Sequence, residues 1–211
     1  NDNVFPKLGS FYKTNTDAVG LSDMDQFGIA LTSETDFGSF SWRNILHHRT
    51  MDHHFYMDVD GTNAMRYHLE QDQSQKQQGY EAQFTSQHDG PFNWVAGVFA
   101  FQESNDQPTR SDIFARGTTT FYVEQDTTAY AAYAQGSYDF NDRLTLTLGG
   151  RYSSENKDFN VVARRDDGSI NFTKAMDKTW TRPDWKVMLD YDFSDNVMGY
   201  ASVTTGFKSG G

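Results

Sequence analysis

Apolar and polar side chains alternate in this sequence over segments of about ten residues, and this period of two constrains the fold more than any other feature. In residues 143–152, RLTLTLGGRY, Leu144, Leu146, Leu148 and Tyr152 share one face, while threonine and arginine occupy the other. Successive side chains of a β-strand point to opposite faces, so a period of two indicates strands. No apolar stripe with a helical period reaches a comparable length. The sequence therefore predicts an all-β fold.

The alternating segments are joined by connections of two kinds, short and long. The short ones contain the Gly, Asn or Asp that tight turns require. They lie near residues 35–39, 88–92, 139–143 and 192–196. The long ones are polar and are predicted over residues 58–78, 103–126 and 160–179, with a further long loop over 1–23. This order predicts about eight antiparallel strands arranged as hairpins.

Strand length and aromatic content favour a transmembrane barrel over a soluble sandwich. A tilted strand crosses a bilayer in ~9–11 residues, which is the length of the alternating segments. Aromatic residues make up 15% of a chain whose mean hydropathy is only −0.73. A barrel with an apolar face toward lipid and a polar face toward its lumen has this composition. Aromatic residues near strand ends fit the interfacial girdles of such a barrel: Tyr138, Phe140, Tyr152, Tyr191, Phe193 and Phe207.

Composition excludes several classes of function. The net charge of −11 argues against a nucleic-acid partner, which requires a basic face. The chain has no cysteine, so it has no disulfide, thiolate metal site or thiol nucleophile. No apolar run approaches the ~18 residues of a membrane helix. We find no arrangement of catalytic residues and no cofactor motif, and we predict that the chain is not an enzyme.

The words NDRLTLTLGGRY (141–152) and GFKSGG (206–211) are the most specific of several segments in this sequence that form a recognisable pattern. These segments resemble hairpins of the TonB-dependent receptor barrel. The resemblance extends over roughly residues 22–211 and is carried by four stretches: 36–61, 76–103, 129–159 and 184–211.

The resemblance implies a receptor and transporter of the Gram-negative outer membrane, energised by the TonB complex. The expected ligand is a ferric siderophore or another iron complex, and the expected surroundings are outer-membrane lipid and lipopolysaccharide. Residues 1–211 would form part of a barrel of ~22 strands, with periplasmic short turns and extracellular long loops. The plug, the TonB box through which TonB acts and the remaining strands would lie outside this sequence.

Two alternatives remain open at this stage. One is a complete barrel of about eight strands, either a structural anchor or an enzyme with its site at the rim. The other is a soluble all-β binding module.

Two sets of residues are candidates for the functional surface. Charged residues predicted to line the lumen are Arg43, Glu81, Arg143, Arg151, Lys186 and Asp190. These charges either pair with one another and with the plug, because partly buried charges need partners, or line the ligand path. Residues near 52–75, 104–124 and 160–178 are expected on the ligand side. The aromatics predicted to contact ligand there are Tyr67, Phe114, Phe121, Tyr122, Phe172 and Trp180.

The segment HHRTMDHHFYMDVD, residues 47–60, invites a metal-site interpretation. On a strand His47 and His48 point to opposite faces, and His47 lies ~20 Å from His53 at ~3.3 Å per residue. A single site of four histidines is therefore excluded on a regular strand. One histidine pair with help from Asp52, Asp58 or another loop remains an alternative. The DVDGTN stretch at 58–63 lacks the spacing of a calcium loop, and we predict a solvated turn.

Overall fold

The computed structural model describes residues 16–87 and 89–210, and this part of the chain is one antiparallel sheet of nine strands. The strands are β1 (Leu21–Asp36), β2 (Phe40–Asp58), β3 (Tyr67–Ser86), β4 (Phe92–Asp106), β5 (Thr109–Ile113), β6 (Gly117–Asn141), β7 (Leu144–Arg165), β8 (Ile170–Ser194) and β9 (Val197–Thr204). Within these residues, no helix is long and apolar enough to span a membrane.

Each strand pairs with its neighbour in the chain, with one exception. The order across the sheet is β1-β2-β3-β4-β6-β7-β8-β9, and the short β5 pairs with β3 and β6 beyond the end of β4. This up-and-down antiparallel arrangement confirms the predicted fold class. The eight predicted strands correspond to the eight strands of the main order, and β5 is the ninth.

The short turns lie where the sequence predicts them, at one end of the sheet. The β1–β2 turn contains Gly38 with a positive φ of 83°, and the Asp36 carboxylate accepts a hydrogen bond from its amide at 2.6 Å. The β6–β7 and β8–β9 turns span two residues each, at 142–143 and 195–196. The short turn predicted near 88–92 begins with His88, which lies outside the described residues, as do residues 1–15 and Gly211.

The prediction of long loops is largely wrong, because the strands of the sheet continue through most of these residues. Most of 58–78 belongs to β3, most of 103–126 to β4, β5 and β6, and most of 160–179 to β7 and β8. Residues 21–23, predicted as loop, belong to β1. The reason is that a backbone hydrogen-bond ladder needs no apolar side chain. Where apolar and polar residues no longer alternate regularly along a strand, the hydropathy signal disappears while the pairing persists.

The two faces of the sheet differ in composition over the half nearest the short turns. We call them the apolar face and the polar face. On β6 the apolar face runs from Tyr138 through Ala134 to Tyr130, with both tyrosines largely exposed. Cross-strand partners share a face, and the apolar face continues on the other strands with exposed residues that include Leu31, Leu46, Val98, Leu148, Val187 and Leu189.

A row of polar residues ends the apolar face at the same level on six strands. The row runs through His48, Gln78, Gln102, Thr128, Asn156 and Thr179, which are successive cross-strand partners. Gln78 donates a hydrogen bond to Gln102 at 2.8 Å, and Asn156 donates one to Thr179 at 3.0 Å. On β6, the part of the apolar face that runs from Tyr138 to Tyr130 is nine residues long, counting both tyrosines.

The β7–β8 connection is a tight turn at residues 166–169, within the stretch predicted as a long loop. Gly168 has a positive φ of 81°, and the Asp167 carboxylate accepts a hydrogen bond from the Ser169 amide at 2.9 Å. Hydrogen bonds from Ser169 hold the pKa of the Asp167 carboxyl below its usual range. The turn is thus stabilised by the ionised carboxylate.

Candidate functional site

A groove of about 630 Å³ lies on the polar face between β3 and β9. It forms where the polar positions of β3, β6, β7 and β8 face the chain that follows β9. Its polar lining includes Glu81, Tyr133, Gln135, Arg151, Asp184 and Lys186. Charged and aromatic groups of different strands are therefore brought together on one surface.

Tyr133 is the centre of a hydrogen-bonded group at one side of the groove. Its hydroxyl donates to Glu81 Oε1 at 2.5 Å and accepts from Gln83 Nε2 at 3.3 Å. Tyr133 and Glu81 are 52 residues apart in the chain and lie on β6 and β3, so the bond crosses over β4. It fixes the orientation of the Glu81 carboxylate on the polar face.

Glycine at position 97 makes this arrangement possible. Gly97 lies on β4 opposite Tyr133, and the tyrosine ring passes directly over it. A Cβ atom added at residue 97 would lie 2.6 Å from the tyrosine ring and 2.8 Å from the Ala82 carbonyl oxygen. Any side chain larger than hydrogen would displace the ring that reaches Glu81.

Arg151 packs on two aromatic rings. Its guanidinium carbon lies 5.8 Å from the Tyr133 ring centre and 5.9 Å from that of Phe99, within the range of a cation–π interaction. Its Nε donates a hydrogen bond to Ser153 Oγ at 3.0 Å. The arginine is thereby held in place in the groove wall.

The charged groups of Asp184 and Lys186 have weaker hydrogen bonding than those of Glu81 and Arg151. One carboxylate oxygen of Asp184, Oδ1, is buried without a hydrogen bond in the described structure. Arg182 Nε lies 3.9 Å from this oxygen, which is close enough for an ion pair but too long for a hydrogen bond. Lys186 Nζ donates to Gln135 Oε1 at the long distance of 3.4 Å. These two charges retain capacity for a further polar partner.

Five of the six predicted lumen charges lie on the polar face of the strands. Glu81, Arg151 and Lys186 line the groove, whereas Arg43 pairs with Glu34 at 3.3 Å and Asp190 lies opposite Thr145. The placement of Arg143 on a strand face is wrong. Arg143 belongs to the two-residue β6–β7 turn, where its carbonyl accepts a hydrogen bond from the Asp192 amide.

The six predicted ligand-side aromatics all lie in the half of the sheet away from the short turns. Phe121 and Phe172 flank Ala163 on the polar face, and Ala163 is completely buried between them. Tyr67 begins β3, and Trp180 on β8 lies 5.2 Å from Lys178 Nζ, also on that strand. Phe114 is 71% exposed in the β5–β6 connection. Tyr122 differs, because the register places it on the opposite face from Phe121.

The histidines of β2 do not converge on one point. His47 lies on the polar face across from Gly79, whereas His48 belongs to the polar row that ends the apolar face. His53 hydrogen-bonds Ser22 at 3.0 Å, and His54 hydrogen-bonds Asp72 at 2.7 Å. Among the described residues, the group of three with metal-ligating geometry is Asp17, Asp58 and His68. This group contains Asp58, which was predicted as a possible partner for a histidine pair of β2. Its histidine, however, belongs to β3.

Sequence reasoning missed Tyr133 and Asp184, which line the groove, and Gly97, over which the Tyr133 ring passes. The alternation of residues 131–140 predicts that the Tyr133 side chain points to the polar face. It does not predict that Glu81 is the hydrogen-bond partner of Tyr133. The close approach of Tyr133 to Gly97 depends on cross-strand register, which a single sequence does not specify.

Comparison with known families decides the identity of the fold. The sequence matches the family described as TonB dependent receptor-like, beta-barrel, over residues 1–211, which is the whole chain. The chain belongs to this family. TonB-dependent receptors are transporters and not enzymes, so the prediction of a non-enzyme is confirmed by family membership.

Solved structures show the same fold at low sequence identity. The ferric yersiniabactin uptake receptor FyuA from Yersinia pestis superposes with a TM-score of 0.77 at 12% identity, covering 86% of this chain and 28% of FyuA. The ferric citrate transporter FecA gives 0.62 at 13% identity, with coverages of 87% and 27%. The ferric-catecholate import receptor Fiu from E. coli K12 gives 0.61 at 13% identity, with coverages of 88% and 35%.

The chain thus spans about a third or less of each of these receptors. A search of curated proteins by sequence finds no match.

Proposed function

We propose that this TonB-dependent receptor chain is part of the wall of an outer-membrane transporter that takes up an iron complex, with a ferric siderophore as the expected ligand. The observation that carries the proposal is the family match over the whole chain. The structural neighbours are receptors for ferric yersiniabactin, ferric citrate and ferric catecholates, which supports iron as the transported metal. Transport would draw its energy from the TonB complex, acting through a plug outside the described residues.

We further propose that the apolar face contacts lipid and that the polar face lines the lumen. The nine residues from Tyr138 to Tyr130 match the ~9–11 residues with which a tilted strand crosses a bilayer. The two tyrosines would lie at the two interfaces, where amphipathic rings are favoured. The short turns would then face the periplasm. The opposite end of the sheet, where the strands continue beyond the polar row, would extend from the cell surface toward lipopolysaccharide.

The chain would form part of a larger barrel. β1 and β9 are the two edges of the described sheet and do not pair with each other. Open edges are not stable in hydrocarbon, because their backbone groups have no water to bond. Further strands pairing with these edges would close the barrel, and the groove charges would pair with one another and with the plug inside it.

The transport proposal is tested with the full-length gene in its native host under iron starvation. We expect the receptor to be induced and cells to accumulate iron-55 from at least one of a set of ferric siderophores. Deletion of the receptor gene should abolish this accumulation, and deletion of TonB should abolish it equally. Induction by a carbohydrate instead of iron starvation, with unchanged iron accumulation in the receptor deletion, would contradict the proposal.

We propose that the aromatic residues on the polar face contact the ligand in the half of the sheet away from the short turns. Replacing Phe121 or Phe172 by alanine in the intact receptor should weaken binding of the transported iron complex about tenfold, since a buried aromatic contact contributes on the order of 1–3 kcal/mol. Tyr122→Ala is the matched control, because Tyr122 is the next residue on β6 and points the other way. Equal affinity losses for Phe121→Ala and Tyr122→Ala, measured by fluorescence quenching, would contradict the assignment.

A further inference from the structure

Asp17, Asp58 and His68 bring their side chains together at the end of the sheet opposite the short turns. One potential ligand atom from each of these residues lies within 4.8 Å of the other two. His68 Nε2 is 2.8 Å from Asp17 Oδ1, and the two side chains are only 12% and 19% exposed. The three residues come from different parts of the chain: Asp17 precedes β1, Asp58 ends β2, and His68 is the second residue of β3.

Two of the three side chains, those of His68 and Asp58, are oriented by groups outside the cluster. The Tyr56 hydroxyl lies 2.9 Å from His68 Nδ1, which leaves Nε2 directed at the two aspartates. Asp58 Oδ1 accepts hydrogen bonds from the Asp60 and Gly61 amides at 3.0 and 2.9 Å, and Asp58 Oδ2 accepts one from Thr16 Oγ1 at 2.5 Å. Outer partners of this kind, which fix the tautomer of a histidine and the orientation of a carboxylate, accompany the ligands of protein metal sites.

The backbone holds Asp17 against the other two residues. The Asp17 amide donates a hydrogen bond to the Thr62 carbonyl at 2.9 Å, and Thr62 is itself buried in the β2–β3 connection. The Asp60 carboxylate in that connection accepts hydrogen bonds from the Thr62 and Tyr67 amides. The arrangement is therefore preorganised rather than a chance approach of flexible side chains.

The charges favour a cation between the three groups. Two carboxylates this close repel each other unless a positive charge lies between them. Asp58 uses three of its roughly four lone-pair positions in the hydrogen bonds described above, which leaves one for a cation. Imidazole nitrogen combined with carboxylate oxygen suits zinc, whereas calcium and magnesium prefer oxygen alone.

We propose that Asp17, Asp58 and His68 bind a divalent transition-metal ion of the zinc class, which ties the chain before β1 to the outer ends of β2 and β3. Tetrahedral zinc with bonds of ~2.0–2.2 Å separates its ligand atoms by about 3.4 Å, so modest side-chain rotation completes the site. Three protein ligands leave the fourth position for water. The proposal is independent of iron transport, because it rests on the geometry of these residues alone.

The test is zinc titration of the intact receptor in detergent by isothermal calorimetry after removal of metals by a chelator. We expect the wild type to bind one more zinc ion per chain than the Asp58→Asn and His68→Gln variants. The matched control is His54→Gln, because His54 lies 2.7 Å from Asp72 but has no third ligand in the described structure. This control should bind as much zinc as the wild type. Cobalt in place of zinc should give the visible absorption of a tetrahedral site in the wild type and His54→Gln, but not in Asp58→Asn or His68→Gln.

Tyr56→Phe keeps all three ligands and removes only the hydroxyl that orients His68, so it tests the site without loss of a ligand. We expect it to weaken zinc binding about 10-fold or more. Equal zinc stoichiometry in the wild type and His68→Gln would overturn the proposal, as would unchanged zinc affinity in Tyr56→Phe. Calcium binding that is lost in Asp58→Asn but unchanged in His68→Gln would also overturn it, since it would show an acidic site without the histidine.

Discussion

Replacing Gly97 by alanine in the intact receptor is expected to destabilise the folded barrel by about 1–3 kcal/mol, the usual cost of forcing an extra carbon into a packed site. The new Cβ would lie 2.8 Å from the Ala82 carbonyl oxygen, which is backbone and cannot rotate away. It would also displace the Tyr133 ring, and with it the hydrogen bond from the Tyr133 hydroxyl to Glu81. Denaturant unfolding in detergent measures the effect as a lower midpoint.

Gly149→Ala is the matched control for this variant. Gly149 lines the same groove on β7, but a Cβ there meets its nearest atoms at 3.5 Å, an ordinary contact. Both glycine-to-alanine substitutions lower the conformational entropy of the unfolded chain to the same extent, which slightly favours folding. We expect Gly149→Ala to match or exceed the wild type in stability. If both variants unfold at the wild-type midpoint, the close packing of Tyr133 over Gly97 is not present in the receptor.

Arginine in place of Ala134 is expected to cost about 2–4 kcal/mol, as arginine does at the midplane on the lipid face of outer-membrane barrels. Ala134 is exposed on the apolar face of β6, midway between Tyr130 and Tyr138. If this face meets lipid, the guanidinium group would be placed in hydrocarbon, far from water at either interface. The loss appears as reduced folding into phospholipid vesicles and as a lower free energy of unfolding there.

Ser137→Arg controls for the size and charge of the new side chain. Ser137 lies three residues further along β6 and on the polar face, where it is the partner of Thr147. We expect Ser137→Arg to fold with at most a small loss of stability. A larger loss for Ser137→Arg than for Ala134→Arg would mean that the faces are assigned the wrong way round.

The sequence was sufficient to predict the part of the fold in which side chains must differ between the two faces. In β7 the alternation of Leu144, Leu146 and Leu148 with threonine predicts both the strand and the direction of each side chain. The short turns were equally predictable, because their geometry requires residues such as Gly38. These signals are local, and one sequence contains them.

The remaining features depend on pairing between distant segments. Beyond the polar row at His48, apolar and polar residues no longer alternate regularly along the strands, so hydropathy no longer separated strand from loop. The Tyr133–Glu81 hydrogen bond joins residues 52 positions apart, and the Asp17–His68 contact joins residues 51 positions apart. Such contacts depend on register, and a shift of one residue reverses every side chain. The four histidines of β2 were conspicuous in the sequence, yet the three-ligand cluster uses His68 on β3.

This sheet is proposed to be a barrel wall with one face toward lipid and the other toward the lumen. The described chain contains no cysteine, so single cysteines placed at residues 129–138 of β6 can be labelled with a fluorophore in a cysteine-free receptor. The measurement is quenching of that fluorophore by brominated phospholipids in reconstituted vesicles. If the apolar face meets lipid, quenching should be strong at the even positions 130, 132, 134, 136 and 138 and weak at the odd ones. Quenching without a period of two, or stronger at the odd positions, would contradict this proposal.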